Sequence, residues 1–161
     1  MRISIPQISG ILVSLFCMIL LCSGCGKSIE ENSKNTSNLF VINLLDKPLY
    51  DDCHIAGSVQ VSYTDLESYA KNLSRETPIV VYCSNYQCTA SGQGYKILKK
   101  MGFEHVWAYE GGMAEWYQLK YPVAGSCSMK YLAKSVPMPD EDHTIEKITA
   151  QELKSKMEML K

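Results

Sequence analysis

The segment VVYCSNYQCTASG, residues 80–92, carries Cys83 and Cys88 on one short loop. A thiolate is both a nucleophile and a redox group. The apolar run before Cys83 reads as a strand, and the residues after Cys88 read as a helix with Thr89 as its cap. Cys83 therefore stands where a strand hands over to a helix. The first amides of a helix are unpaired donors, and its dipole places partial positive charge there. A thiol among them ionises more readily, and a tight loop from Cys83 to Thr89 could turn successive N–H groups inward as an anion cradle. Three roles are open to Cys83: nucleophile, half of a disulfide, or a small buried apolar residue.

The flanking elements define the setting. LFVINLL (residues 39–45), SVQVSY, PIVVY and HVWAY read as strands. TDLESYAKNL reads as a helix with Thr64 and Asp65 as capping candidates and Leu66, Ala70 and Leu73 on one face. TASGQGYKILKKMGF has Ile97, Leu98 and Met101 as its stripe and ends at Gly102, where a helix terminus favours a left-handed residue. Strands alternating with helices predict an α/β domain with a largely parallel sheet. Ligands of such sheets sit beyond the carboxyl ends of the strands, where Cys83 lies.

The N-terminus bears on what the cysteines can do. Arg2, a short apolar run from Ile11 to Leu21, and then Ser23, Gly24 and Cys25 resemble a bacterial lipoprotein signal, cut before a lipidated Cys25. Cys22 stands where such signals usually carry Leu. Gly26 after the lipid cysteine resembles an outer-membrane address, facing the periplasm of a Gram-negative envelope. The ordinary secretory signal and the uncleaved anchor are the other readings. Of the 7 cysteines, Cys53, Cys83, Cys88 and Cys127 would remain free of signal and lipid, and an exported chain permits disulfides among them. Cys53 with Cys127 is one pairing open to them. The 16 basic and 17 acidic residues give a net charge of −1, which excludes an electrostatic footprint for nucleic acid. The methionines and His143 of the C-terminal region are irregularly spaced, so neither a metal nor another cofactor is expected.

From Leu39 to Val123 the chain resembles a rhodanese domain. Tyr50, CHIAGS from Cys53, VYCSNYQCTAS, ILKKMGF, VWAYEGGMAEW and YPV follow the family pattern in order and spacing. The resemblance implies a three-layer rhodanese-like fold and sulfur transfer. Cys83 would be the catalytic cysteine, taking a sulfane sulfur as a persulfide from a small donor and passing it to a thiol acceptor. Ser84, Asn85, Tyr86, Gln87 and Thr89 would form the substrate-binding loop around it. His54 is expected to be structural, and the Gly111–Gly112 pair to make a turn near the loop. The sequence departs from the family in four places. Cys88 replaces the loop arginine, Asn43 and Leu45 replace the Asp and Arg after the first strand, and Cys53 replaces a glycine. Without the loop cation, polysulfide, a low-molecular-weight persulfide or a protein thiol becomes a better candidate than thiosulfate. No Arg or Lys lies between Cys83 and Gly94, which places phosphatase chemistry far behind. Cys88 is read either as a second catalytic, resolving thiol that closes a disulfide onto Cys83 and expels sulfide, or as a steric stand-in. The alternative to an enzyme is a catalytically silent module that binds an envelope protein.

The tail completes the expectation. The strand and helix that usually open the family domain are missing before Leu39, yet TIEKITAQELKSKMEMLK supplies such a pair. Thr149 and Glu152 form a capping box, and Leu153, Met157 and Leu160 a stripe. The predicted organisation is a signal (1–24), lipidated Cys25 and tether (25–38), rhodanese-like domain (39–124), connector (125–143), and a C-terminal strand and helix (144–161) that complete a circularly permuted domain. The same pieces swapped between two chains, the stub of a truncated second domain and an independent surface helix are the alternatives.

Overall fold

The computed structural model describes residues 38–133, 136–137 and 142–159, which belong to one compact unit, Asn35–Lys161. The signal, Cys25, nearly all of the tether, parts of the connector and Leu160 lie outside the described residues.

Apolar, β-branched runs build the central sheet. β1 (Phe40–Asn43), β3 (Val59–Gln60), β4 (Ile79–Tyr82) and β5 (Val106–Tyr109) pair in the order β3-β1-β4-β5, all parallel. All four β4 side chains are buried, as expected for a central parallel strand covered on both faces. Alternation sends Val41, Val80 and Tyr82 into one core with Met113, Trp116, Ile148 and Leu153. Ile42, Ile79 and Val81 enter a second core with Leu66, Ala70, Tyr95 and Leu98. The helices α2 (Leu66–Ala70) and α3 (Ala90–Lys100) cover that second face. On the first face lie α4 (Gly112–Gln118) and α5 (Ala150–Met159). The result is the expected α/β sandwich of three layers. A small antiparallel pair, β2 (His54–Ile55) with β6 (Val123–Ala124), and α1 (Lys47–Asp52) close one end.

The helix termini differ from the sequence reading in detail. Residues Tyr63–Asp65 form a 3-10 turn before α2, and neither Thr64 nor Asp65 caps with its side chain. The Ser62 hydroxyl donates to the Asp65 carboxylate instead, at 2.6 Å. Thr89 occupies the cap position of α3 without a side-chain capping bond, because its backbone is already helical. Gly102 does adopt the left-handed conformation, φ +88°, and Phe103 N–H reaches back to Leu98 O at 3.2 Å.

The C-terminal segment joins the sheet. Lys147 pairs in parallel with Ala108 of β5, with Ala108 N–H donating to Glu146 O at 2.9 Å and Ile148 N–H to Ala108 O at 3.1 Å. The capping box then starts α5: Thr149 N–H donates to Glu152 Oε2 at 2.9 Å, and Glu152 N–H to Thr149 Oγ1 at 3.2 Å. Leu153 is fully buried and Met157 packs beside it, so this helix belongs to the core rather than the surface.

Cys53 and Cys127 form a disulfide, with Cα atoms 4.6 Å apart. The turn around Cys127 is built on Asp52. Its carboxylate accepts from Ser126 Oγ at 2.7 Å, Ser128 N at 3.1 Å and Met129 N at 3.2 Å. The Ser128 and Ser126 hydroxyls, with the neighbouring amides, lower the Asp52 pKa to about 2. Gly125 is required there, since a Cβ would lie 2.2 Å from Asp52 O and the φ is +103°. The segment after Val123 is therefore fastened to the domain through Gly125–Met129, and the 3-10 turn Lys130–Ala133 then buries Leu132 in the first core.

Candidate functional site

β4 ends at Tyr82 and α3 begins at Ala90, so Cys83–Thr89 is the loop at the carboxyl edge of the sheet. Its position is held from below. The Tyr82 hydroxyl, which burial pushes up to about 12, accepts from Ile55 N–H at 3.0 Å and shares a 2.8 Å bond with Ser58 Oγ. On the neighbouring strand Asn43 Oδ1 accepts from Leu45 N–H at 2.7 Å, a local turn that ends β1.

The start of α4 grips the loop from the side. Met113 N–H donates to Cys83 O and Ala114 N–H to Ser84 O, each at 2.9 Å. Gly112 makes this approach possible. Its φ is +61°, and a Cβ there would stand 2.7 Å from Asn85 N, Cys83 O and Ser84 C. The Gly111–Gly112 turn thus lies against the loop, as expected. Glu115, one turn further, accepts from the Tyr86 hydroxyl and from the Tyr109 hydroxyl, each at 2.8 Å. Burial, then the Glu115 carboxylate, raises Tyr86 to about 12 and Tyr109 higher still. Both phenols are therefore neutral donors at any working pH and act as props rather than proton carriers.

Cys83 and Cys88 are joined by a disulfide across the loop, with Cα atoms 6.4 Å apart, inside the usual range. Cys83 is fully buried, while Cys88 is partly exposed. Part of the expected anion cradle is taken up by the closed loop itself. Gln87 N–H donates to Asn85 Oδ1 and Cys88 N–H to Asn85 O, both at 3.0 Å, so two of its amides serve the turn itself. Two carbonyls and a hydroxyl lie near the buried sulfur. Cys83 Sγ lies 3.3 Å from Cys88 O, 4.0 Å from Asn85 O and 3.9 Å from the hydroxyl of buried Ser91.

The residues expected to carry catalysis and substrate binding all fall on this loop but face different spaces. Cys88, Tyr86 and Thr89 line a cleft of ≈ 330 Å³ with Gly92, Lys96, Asp142, Ile145 and other residues of α3 and the C-terminal segment. Asn85, Tyr86 and Gln87 line a separate depression of ≈ 300 Å³ with Lys130, Tyr131 and Val136. Ser84 lines neither and serves through its carbonyl. His54 stacks on Tyr50, ring centroids 3.9 Å apart, and its Nδ1 lies 2.8 Å from Tyr50 O, a structural position. Leu45 is buried, so no cation replaces the family arginine there. Sequence reasoning did not single out Glu115, Ser91 or the cleft residues Lys96 and Asp142. Glu115 had one signal, an acid in the first turn of a helix after the glycine pair. Lys96 and Asp142 had none, because their pairing joins α3 to the far end of the connector. Among the described residues, no cluster of three or more His, Cys, Asp or Glu is placed to hold a metal ion, and no helix is long and apolar enough to cross a membrane.

The rhodanese-like domain family matches residues 27–119 of the chain. The chain belongs to the rhodanese-like family. Its curated relatives include the thiosulfate sulfurtransferase GlpE of Coxiella burnetii, 28% identical over 79 residues, which are 49% of this chain and 72% of the relative. The GlpE protein of Tolumonas auensis is 25% identical over 80 residues, 50% of this chain and 73% of the relative. Among solved structures, the rhodanese-like domain of the Alr3790 protein of Anabaena sp. superposes with a TM-score of 0.52 at 25% identity, covering 69% of this chain and 80% of that one. The BH2092 protein of Bacillus halodurans superposes with a TM-score of 0.51 at 25% identity, covering 56% of this chain and 66% of that one. This rhodanese-like chain thus has sulfurtransferase relatives, a class whose chemistry needs a sulfur donor and a thiol acceptor.

Proposed function

We propose that this rhodanese-like chain is a sulfurtransferase that works through a Cys83 persulfide, with Cys88 as the resolving thiol. The observation that carries the reading is the Cys83–Cys88 bridge across the loop between β4 and α3. In the first step the Cys83 thiolate attacks the outer sulfur of a donor, and the donor leaves as its own anion. The persulfide then has two fates. An acceptor thiolate can take the outer sulfur. Alternatively, Cys88 thiolate attacks Cys83 Sγ, hydrosulfide leaves, and the bridge closes. Departure of the loop arginine makes a polysulfide or a low-molecular-weight persulfide a better donor than thiosulfate.

The same proposal places the chain on the envelope. Lipidation of Cys25 after removal of residues 1–24 would anchor it, with the domain in the periplasm and the outer membrane favoured over the inner. An oxidising compartment suits the two disulfides. The C-terminal strand and α5 would stand in for the family's usual opening strand and helix, making the domain a circular permutant. Their parallel pairing with β5 and buried Leu153 support this.

The test is mass spectrometry of the reduced full chain after exposure to polysulfide or thiosulfate. A gain of one sulfur on Cys83, absent in Cys83→Ser, is expected, followed by sulfide release that Cys88→Ser abolishes. No adduct with any donor would leave the silent binding module as the better reading.

A further inference from the structure

The cleft beside the loop is asymmetric with respect to the two sulfurs. Cys88 lines it, whereas Cys83 is fully buried behind the loop. A molecule entering the cleft therefore meets residue Cys88 and not Cys83. Part of its wall consists of Asp142, at the end of the connector, and of Ile145 and Lys147 from the C-terminal segment, all outside the residues matched by the family. Gly92 lets that wall close onto α3, since a Cβ there would stand 2.8 Å from Ile145 Cδ1.

The cleft also has a charge pattern. Lys96 Nζ pairs with Asp142 Oδ2 at 2.6 Å, and Lys147 Nζ with Glu110 Oε2 at 3.0 Å. All four residues line the cleft. Each pair brings one ammonium and one carboxylate to the wall. A ligand carrying both charges can exchange partners with a pair at no net loss of charge pairing. A ligand with one charge leaves one wall group unmatched. A cleft of ≈ 330 Å³ stands at the small end of the roughly 300–1,000 Å³ typical of ligand sites, which suits an amino-acid-sized molecule.

We propose that this cleft receives a zwitterionic amino-acid thiol of the cysteine type, and that its thiolate attacks Cys88 rather than Cys83. The inference rests on the reading of Cys83 and Cys88 as a working redox pair, and it names the reductant class and the sulfur that meets it. In this step the external thiolate forms an S–S bond to Cys88 Sγ. The Cys83–Cys88 bond breaks, and its electron pair leaves on Cys83 Sγ, which becomes the thiolate for the next donor. A second molecule of the same thiol then attacks the sulfur of the first, and Cys88 leaves as thiolate. Overall the bridge gains two electrons and two thiols become one external disulfide. The buried sulfur is thereby regenerated without being reached from solvent.

The oxidised full chain is mixed with L-cysteine, cysteamine and 3-mercaptopropionate at equal thiolate concentrations. Opening of the Cys83–Cys88 bridge is followed by alkylation and peptide mass. L-cysteine should open it at least tenfold faster than either singly charged thiol, and the Lys96→Gln/Asp142→Asn double variant should bring the ratio close to one. In parallel, Cys83→Ser and Cys88→Ser are exposed to L-cystine. The variant retaining Cys88 should be cysteinylated at least tenfold faster than the one retaining Cys83. Equal rates for the three thiols with the native chain would overturn the ligand class. Faster modification of Cys83 would overturn the direction of attack. Persulfide formation on Cys83 is a separate readout, so failure here is distinguishable from failure of the sulfurtransferase reading.

Discussion

Gly112→Ala isolates the contact between α4 and the cysteine loop. Two effects add. Gly112 has φ +61°, a region that costs an L-residue about 1–2 kcal/mol. The new methyl would also meet three backbone atoms, Asn85 N, Cys83 O and Ser84 C, each at 2.7 Å. Backbone cannot swing aside as a flexible side chain can, so the loop or the helix must shift, at about 1–3 kcal/mol. The total is about 2–5 kcal/mol. Gly57→Ala supplies the control. Its φ is +89° with nothing within 4 Å of the added Cβ, so it carries the backbone strain alone. The assay is thermal unfolding of the full chain by circular dichroism. At about 4 °C per kcal/mol for a domain of this size, Gly112→Ala should melt some 4–12 °C below Gly57→Ala, as worked from the contact contribution. The same shift should slow closure of the Cys83–Cys88 bridge, because Met113 and Ala114 hold the Cys83 and Ser84 carbonyls. Equal melting of the two variants would refute the claim that α4 sets the loop by direct backbone contact.

Three further expectations follow from the same structure. Leu153→Ala should destabilise the domain by about 2–5 kcal/mol, because Leu153 is fully buried against the sheet, and Ile148→Asp with Leu153→Asp should unfold it; unchanged thermal stability would show that the C-terminal helix is not part of the core. Replacing Cys53 and Cys127 by Ala should cost about 4 kcal/mol on the chain-entropy account for a loop of 74 residues, measured by denaturant titration; a loss below about 1 kcal/mol would contradict that account. The Asp52 carboxyl is lowered to about 2 in the fold, so its stabilising contribution is present above the unfolded pKa near 4 and fades as pH falls from about 4 to 2. Asp52→Asn should flatten the melting temperature against pH in that window, and parallel curves for the two proteins would argue against it.

Much of the chemistry was legible in residue order. A strand-type run, a cysteine, a short polar loop and a helix-type run place Cys83 at the carboxyl edge of a parallel sheet, because local hydrophobic periodicity governs each element and the α/β alternation governs their stacking. Gly102 and the Thr149–Glu152 box were readable for the same reason: both satisfy backbone groups within a few residues of themselves. Asp65 and Thr89 stand at the cap positions read from the sequence, but neither makes a side-chain capping bond, because a 3-10 turn precedes α2 and both residues have helical backbone. Two of the amides expected in the anion cradle, those of Gln87 and Cys88, are claimed by the Asn85 side chain and carbonyl once the loop closes.

What remained for tertiary structure is whatever joins residues distant in sequence. That Cys53 meets Cys127, that Lys96 meets Asp142, and that Glu115 gathers the hydroxyls of Tyr86 and Tyr109 follows from packing, since no local pattern encodes partners across the sheet. The two loop cysteines illustrate the division. Their spacing and their placement before a helix are properties of the sequence. Their inequivalence, Cys83 fully buried and Cys88 facing a charged cleft, exists only because α4 and the C-terminal segment close on the loop from different sides.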